Sequence, residues 1–404
     1  MSDNLINNQA IPNPPFRESA NEEEVTMKKG HGRFSNTIIF GVLIFGLTIA
    51  SMLTPEKGFS ESENRVLEGK PKFSLESLFD GTFISKYETY VTDQFVLRDT
   101  WIGIKTYTEL AMLKKDINGV YFGKDDYLIE KIDNSDIDFE QLAKNEKRLI
   151  DFMKKYEALL GQDHVYSMIV PTAYKILSEK LPPYATGFNQ GEFLDRLSNT
   201  IGDNFIDLRP TLNAHESEYI FYKTDHHWTT LGAYYAYVEW ANRIGVTPMS
   251  QEEFEIKEVA DDFLGTIYSK INIPVSPDTM FIYDSKNNYE VEYNMDGNIK
   301  NTLYEVSHLD TKDKYAVYLN GNNPVVKITS EVKNGKTLLI IKDSYGHCFA
   351  PFAVNHFETV YMVDLRYLNM PMSRFIDTYK VTDVLVLYNT NGYVKDKNLG
   401  NLIK

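Results

Sequence analysis

A chain of 404 residues, 43% hydrophobic and 25% charged, has the make-up of a globular protein built as one large domain or two smaller ones. Its net charge of −15 excludes nucleic acid as a partner, since binding phosphates takes clustered Lys and Arg, and it disfavours broad adhesion to an anionic membrane surface. The single cysteine, Cys348, excludes an intramolecular disulfide and a multi-cysteine zinc site.

Residues 1–26 are polar and acidic, with Glu22, Glu23 and Glu24 in a row, which is the composition of a disordered tail. Lys28, Lys29, His31 and Arg33 follow, and then TIIFGVLIFGLTIASML runs from Thr37 to Leu53 without a charge. That length is the short end for a membrane-spanning helix, and the positive flank before it puts the N-terminus inside. The expectation is a cytoplasmic tail over 1–35, a single-pass anchor in the cell membrane over 36–54, and an extracytoplasmic remainder. A cleaved signal peptide fits the same flank, although no clear A-x-A site follows. A buried core helix rarely lacks a polar stripe over such a length. Residues 55–74 are polar and read as a linker into an ectodomain over 75–404.

From residue 75 helical periodicity appears, with Phe83, Tyr87, Val91, Phe95, Trp101, Ile104 and Leu110 spaced by threes and fours. NGVYFGKDDYLIE predicts a hairpin turning at Gly123-Lys124-Asp125-Asp126. Residues 138–161 predict an amphipathic helix closed by Gly161, and VYSMIV after it a fully buried strand of the parallel kind. NFIDLRPTL (204–212) reads as a second strand and residues 231–245 as a helix. Three further strands are expected at 336–344, 357–366 and 382–391, with a short helix over 369–378. Strands alternating with helices predict an α/β fold with a largely parallel sheet flanked by helices. Residues 251–335 break that rhythm and read as an insertion or lid. The 27 Tyr and 23 Phe suit both strands and sugar-contacting surfaces.

Two polar clusters carry the candidate chemistry. In YKTDHHWTT (222–230), a loop entering a helix, residues two apart point the same way, so Asp225 can orient His227 and fix its tautomer. Trp228 can wall a pocket or offer a face to a sugar ring, and Thr229 or Thr230 suits the helix N-cap. As metal ligands, His226 and His227 point apart in an extended chain and lack a third soft partner, so no metal is expected. The second cluster, Lys342-Asp343-Ser344-Tyr345-Gly346-His347, ends the apolar strand LLII. A Ser just past a buried strand is held rigidly with its hydroxyl exposed and helix amides beyond it, although a Ser there also commonly caps a helix. A separate Asp-x-His element supplies the other two members of a nucleophile, base and orienter set. Asn389 closes the strand VLVLY, where its amide can donate to an oxyanion or simply make a turn.

Together these residues resemble the SGNH hydrolase superfamily, and more narrowly the DHHW proteins related to the alginate O-acetylation proteins. TDHHWTTLGAYYAY matches the DHHW signature, and KDSYGHCFAPF resembles the Ser block usually written G-D-S, with Lys342 in place of the Gly. SENRVLEGKP and YVTDQFVLRD are similar to the stretch after the anchor in that family, so the resemblance covers most of the chain from about residue 60. It implies an SGNH-like sheet, Ser344 as nucleophile, His227 as general base and Asp225 as its orienter, in the family's order of Asp and His before Ser. It leaves His226 unassigned and matches Arg366 to an Arg near the pocket of relatives. Trp228, His226 and Tyr345 join Arg366 as substrate-binding candidates, and the Ser344 amide joins Asn389 as an oxyanion donor. No cofactor is implied. The implied function is acyl transfer, usually of acetyl, onto hydroxyls of a polysaccharide acceptor, with a membrane-bound O-acyltransferase supplying the acyl group. A carbohydrate acetylesterase uses the same triad, and a non-catalytic surface or assembly protein can keep the same fold.

Overall fold

The computed structural model describes residues 31–60 and 65–403, and the chain divides into units Met1–Pro55 and Glu56–Lys404. The acidic tail, Lys28 and Lys29 lie outside the described residues. Helix α1 (His31–Leu53) is uncharged from Phe34 to Leu53, long and apolar enough to cross a membrane.

In the second unit the periodic stretch after residue 75 is two main helices, α2 (Thr82–Asp93) and α3 (Arg98–Ala111), parted where Leu97 takes a left-handed conformation (φ 55°). The segment read as a linker is held to α2. Lys57 and Gln94 exchange two hydrogen bonds of 2.9 Å, and the Glu68 amide donates to Asp93 Oδ2. The expected hairpin forms from β1 (Val120–Phe122) and β2 (Leu128–Glu130), with Asp125 and Asp126 at positive φ in its turn. Helix α4 (Phe139–Leu160) starts on an Asp138 cap and stops at Gly161, whose φ of 103° disfavours other residues. Strand β3 (Val165–Val170) follows, then α5 (Gln190–Ile201).

Residues 204–212 are not a strand, contrary to their composition. Phe205 makes a single bridge to Ser167, and α6 (Arg209–Ala214) begins at once, with Pro210 in its first turn. Proline suits that position and cannot donate to a ladder. Asp207 also folds back onto the Arg209 amide and guanidinium. Helix α7 (Thr230–Arg243) leads into β4 (Glu255–Phe263) and β5 (Asp278–Asp284), an antiparallel ribbon. Then come β6 (Tyr289–Tyr293), β7 (Ile299–Lys300), β8 (Val325–Ser330), β9 (Thr337–Lys342), α8 (Gly346–Ala353), β10 (Thr359–Val363), α9 (Met372–Tyr379), β11 (Asp383–Asn389) and α10 (Thr390–Lys395).

Seven strands form one sheet in the order β7-β6-β8-β10-β9-β11-β3. The half from β10 to β3 is parallel, and β8, β6 and β7 extend it antiparallel. Three strands of the stretch 251–335 therefore belong to the sheet. Burial follows position: β3, β9 and β11 are covered on both faces and read as unbroken apolar runs, whereas β6 alternates. Leu338 and Ile340 face a core containing Trp240 and Phe352, and Leu339 and Ile341 face one containing Phe152 and Phe193. A parallel sheet between two helical layers leaves its functional side at the carboxyl ends of the strands. There β9 delivers Ser344 and β11 delivers Asn389.

Candidate active site

The loop before α7 is a tight hairpin rather than an extended run. Phe221 bridges Trp228, the Thr229 amide donates to Ile220 O, and the Tyr222 amide donates to His227 O. Buried Asp278 fixes its tip, accepting from Tyr219 Oη, the amides of Lys223 and Thr224, and Thr224 Oγ1. Thr229 is the N-cap of α7. Gly232 is obligatory in the next turn, because a Cβ there would lie 2.4 Å from Ile220 O.

The turn brings Asp225 and His227 together and onto the end of β9. Asp225 Oδ1 accepts from the His227 amide at 3.0 Å and from His227 Nδ1 at 2.5 Å, and His227 Nε2 lies 2.7 Å from Ser344 Oγ. Since the carboxylate accepts, Nδ1 carries the proton and Nε2 is free to accept from the Ser hydroxyl. Asp225 Oδ2 accepts from the Thr266 amide at 2.8 Å and Thr266 Oγ1 at 2.9 Å. Burial opposes charge on Asp225. The imidazoles of His226 and His227, with these hydrogen bonds, outweigh it and hold the carboxyl well below the usual carboxylate range. Burial, with His226 beside it, pushes the His227 imidazole down to about 4 against the pull of Asp225, so it is neutral at neutral pH.

Two hydrogen bonds clasp the two motifs. Trp228 Nε1 donates to Tyr345 O at 3.1 Å, and Tyr345 Oη donates to His226 O at 2.5 Å. Both side chains are wholly buried, so neither can touch a substrate, which corrects the expectation of a sugar-stacking Trp228 and a substrate-binding Tyr345. Their large apolar rings do more by filling the core beneath the site. His226 remains partly exposed, with Nδ1 2.6 Å from Thr266 Oγ1, and lines a crevice with Glu130, Thr172, Tyr174, Asn389 and Asn391. Asp225, His226 and His227 bring potential metal-ligand atoms within 4.8 Å of one another, but His227 Nδ1 and Asp225 Oδ1 already share a direct hydrogen bond.

Asn389 does not stand free as an oxyanion donor: its Nδ2 donates to Asp343 Oδ2 at 2.6 Å, its amide does so at 2.8 Å, and its Oδ1 caps α10. A buried carboxylate next to an amide captures it. Asp343, pushed up to about 6 by burial, also accepts from the Tyr345 amide, which shapes the turn holding Ser344. Among the described residues the Ser344 amide has no acceptor, leaving it available to a developing oxyanion. Arg366 donates from Nε and Nη2 to Asp364 at 2.9 and 2.6 Å, an ion pair instead of a free substrate contact. Lys342 is buried, 2.6 Å from His347 Nε2 and 3.7 Å from Asp364, and burial lowers its ammonium to about 8.

Three further residues complete the site from the stretch 251–335: Gly265, Thr266 and Tyr315. Gly265 passes so close to Asp225 that a Cβ would fall 2.2 Å from the Asp225 Cβ. Tyr315 stacks on His227, and its Oη lies 3.2 Å from both Ser344 O and Cys348 Sγ. None belongs to a motif with chemistry of its own, so the local sequence does not single them out.

Comparison with known proteins agrees with this arrangement of strands. The family model described as DHHW protein matches residues 148–363, just over half of the chain. No curated protein matches. Among solved structures, a DHHW family protein from Eubacterium siraeum is 27% identical, over 71% of this chain and 95% of that one, with a TM-score of 0.59. Bacillus cereus PatB1, solved with a sulfonyl adduct, is 18% identical over 70% of this chain and 97% of that one, with a TM-score of 0.57. The O-acetyltransferase domain of Pseudomonas putida AlgJ aligns at 14% identity and a TM-score of 0.43, over 70% and 94%.

Proposed function

The chain belongs to the DHHW protein family, and from that premise we propose that it is a membrane-anchored O-acyltransferase. In this reading it moves an acyl group, in the simplest case acetyl, onto hydroxyls of an extracytoplasmic polysaccharide. The observation that carries the reading is the unbroken relay from Asp225 through His227 to Ser344, 2.5 and 2.7 Å per link. The apolar helix Phe34–Leu53 supports the anchored setting. A membrane-bound O-acyltransferase that exports the acyl group is the donor partner that the family resemblance implies.

Ser344 Oγ attacks the carbonyl carbon of an acyl ester while its proton passes to His227 Nε2. The resulting imidazolium is stabilised by Asp225, and the oxyanion forms beside the Ser344 amide. The tetrahedral species collapses, the ester C–O bond breaks, and His227 returns the proton to the departing alkoxide. A sugar hydroxyl then attacks the acyl-Ser344, giving its proton to His227, and the product ester leaves as Ser344 is re-protonated. Water in place of the sugar would make the same site an esterase, so the acceptor decides the outcome.

The test uses purified full-length protein and phenylmethylsulfonyl fluoride, with the adduct mapped by mass spectrometry, following the sulfonyl adduct of PatB1. A single adduct on Ser344 that disappears in His227→Ala is expected. Labelling elsewhere, or undiminished labelling without His227, would remove the proposed nucleophile. With p-nitrophenyl acetate as donor, acetylated oligosaccharide in the products separates transfer from hydrolysis.

A further inference from the structure

Helices α2 and α3 carry their apolar residues on the wrong side for a protein in water. On α3, Gly103 and Thr106 are buried against the body: Thr106 Oγ1 donates to Ile271 O at 2.8 Å, and a Cβ on Gly103 would meet Asn272 O at 3.0 Å. Leu97, Trp101 and Ile104, spaced i, i+4, i+7, fall on the opposite face and are 65%, 40% and 49% exposed. On α2, Asp93 is buried and Tyr90 half-buried, while Ile84, Tyr87 and Val91, spaced i, i+3, i+7, are 51%, 45% and 45% exposed. Apart from Leu110, which packs on the cluster around Ile267 and Ile271, and half-buried Phe83, the helices set small or polar groups inward and offer an aliphatic and aromatic stripe outward. Exposed apolar surface of this kind is the mark of an interaction site.

The chain itself indicates what covers it. Glu56 Oε1 accepts from Tyr90 Oη at 2.7 Å, and Lys57 exchanges hydrogen bonds with Gln94. These two residues follow the last residue of the apolar segment, Leu53, by three and four positions. At roughly 3.5 Å per residue, the chain from Leu53 to Lys57 is a tether of no more than about 14 Å. An anchor crossing the bilayer on so short a tether favours contact of α2 with the headgroup region, where Trp and Tyr are enriched.

We propose that α2 and α3 form an interfacial membrane-docking surface, in which Ile84, Tyr87, Val91, Leu97, Trp101 and Ile104 enter the outer-leaflet boundary. The inference rests on the anchored reading of the N-terminal helix. The partner is the apolar boundary of the bilayer rather than its charge, which fits a chain with net charge −15. Docking would fix the height and tilt of the Ser344 site above the membrane, where a donor delivered through the bilayer would emerge.

Three tryptophans make the test direct. Trp228 and Trp240 are buried, and the segment Phe34–Leu53 contains none, so quenching by lipid reports on Trp101. Full-length protein is reconstituted into phosphatidylcholine vesicles carrying bromine at shallow acyl positions, and extraction with alkaline carbonate is measured alongside. The expected result is a carbonate-resistant protein with a blue-shifted emission component. That component should be quenched by brominated lipid, protected from aqueous iodide and lost in Trp101→Phe. A carbonate-extractable chain would defeat the anchored reading and this inference with it. A resistant chain whose Trp101 is quenched by iodide and not by bromolipid would overturn the docking surface alone. Protection from both quenchers would mean that protein covers the stripe, and would also overturn it.

Discussion

The Tyr315 ring lies flat on the His227 imidazole, with centroids 3.7 Å apart and planes within 10°. The His226 ring lies 3.9 Å from the imidazole at a tilt of 37°, so two rings from separate parts of the chain flank the base of the relay. Burial of the imidazole, to which this packing contributes, depresses His227 and yields a pH signature. With the imidazole at about 4, turnover per encounter, kcat/KM, should fall only as the pH drops through about 4, below the 6.5 of a free imidazole. The unfolded chain takes up this proton first, so the same group lowers stability as the pH falls from about 6.5 toward 4. Tyr315→Ala should move the acid limb upward and cost about 3 kcal/mol of stability, whereas Tyr315→Phe should keep the limb in place. A pH–rate profile with paired thermal melts decides it. An acid limb near 6.5 in the unaltered protein would contradict the buried imidazole.

Ser344→Ala should reduce hydrolysis of p-nitrophenyl acetate by on the order of 10⁴-fold or more, because the attacking oxygen is gone. The melting temperature should change little, since the hydroxyl sits at a strand end and only partly buried. Retained turnover would remove Ser344 from the chemistry.

Asp225→Asn replaces the acceptor on His227 Nδ1 by a group that can favour the wrong tautomer, and roughly a 10⁴-fold loss in kcat is expected. Thr266→Val removes one of two donors to Asp225 Oδ2 while leaving the amide, so the loss should be closer to about 10-fold, with Thr266→Ser restoring most of it. Steady-state kinetics on the three variants rank the effects. Equal activity of Val and Ser at 266 would mean that the hydroxyl does nothing for the carboxylate.

Gly265→Ala puts a methyl where the Asp225 side chain lies, with Asp225 Oδ2 2.5 Å from the new Cβ. Displacement of Asp225 should lower kcat strongly while KM changes little and the fold survives. An alanine variant with unchanged kcat would show that the loop yields without disturbing the relay.

Much of this arrangement is legible in the chain. Buried strands announce themselves as unbroken apolar runs, and VYSMIV, TLLIIK and DVLVLYN all pair in the parallel half of the sheet. Asp225, His227 and Ser344 are legible because a short polar motif interrupts apolar surroundings at the end of an element. Residues 204–212 misled because NFIDL looks like a strand until Pro210 and the Asp207–Arg209 pair are weighed. Trp228, Tyr345, Asn389 and Arg366 misled differently. Trp228 and Tyr345 lie within the motifs, Asn389 closes a strand and Arg366 came from the family resemblance, and nothing in local order tells whether such a ring, amide or guanidinium turns outward or is captured inside. Gly265, Thr266 and Tyr315 are the least legible, because their roles come from long-range packing against Asp225 and His227.

Strand β11, which follows the other strands of the sheet in chain order, occupies an interior place in it, between β9 and β3. Among the described residues β11 is the strand of the sheet that pairs with β3, and it also holds Asp343, through Leu387 O and through the amide and side chain of Asn389. A chain emerging N-terminus first therefore leaves β3 without its sheet partner until β11, far along the chain, has appeared, which favours slow, late closure. Assembly of the site thus waits on a long-range strand pairing. A product truncated before Asp383 would keep the nucleophile, base and orienter in its covalent sequence and still have no floor on which to assemble them.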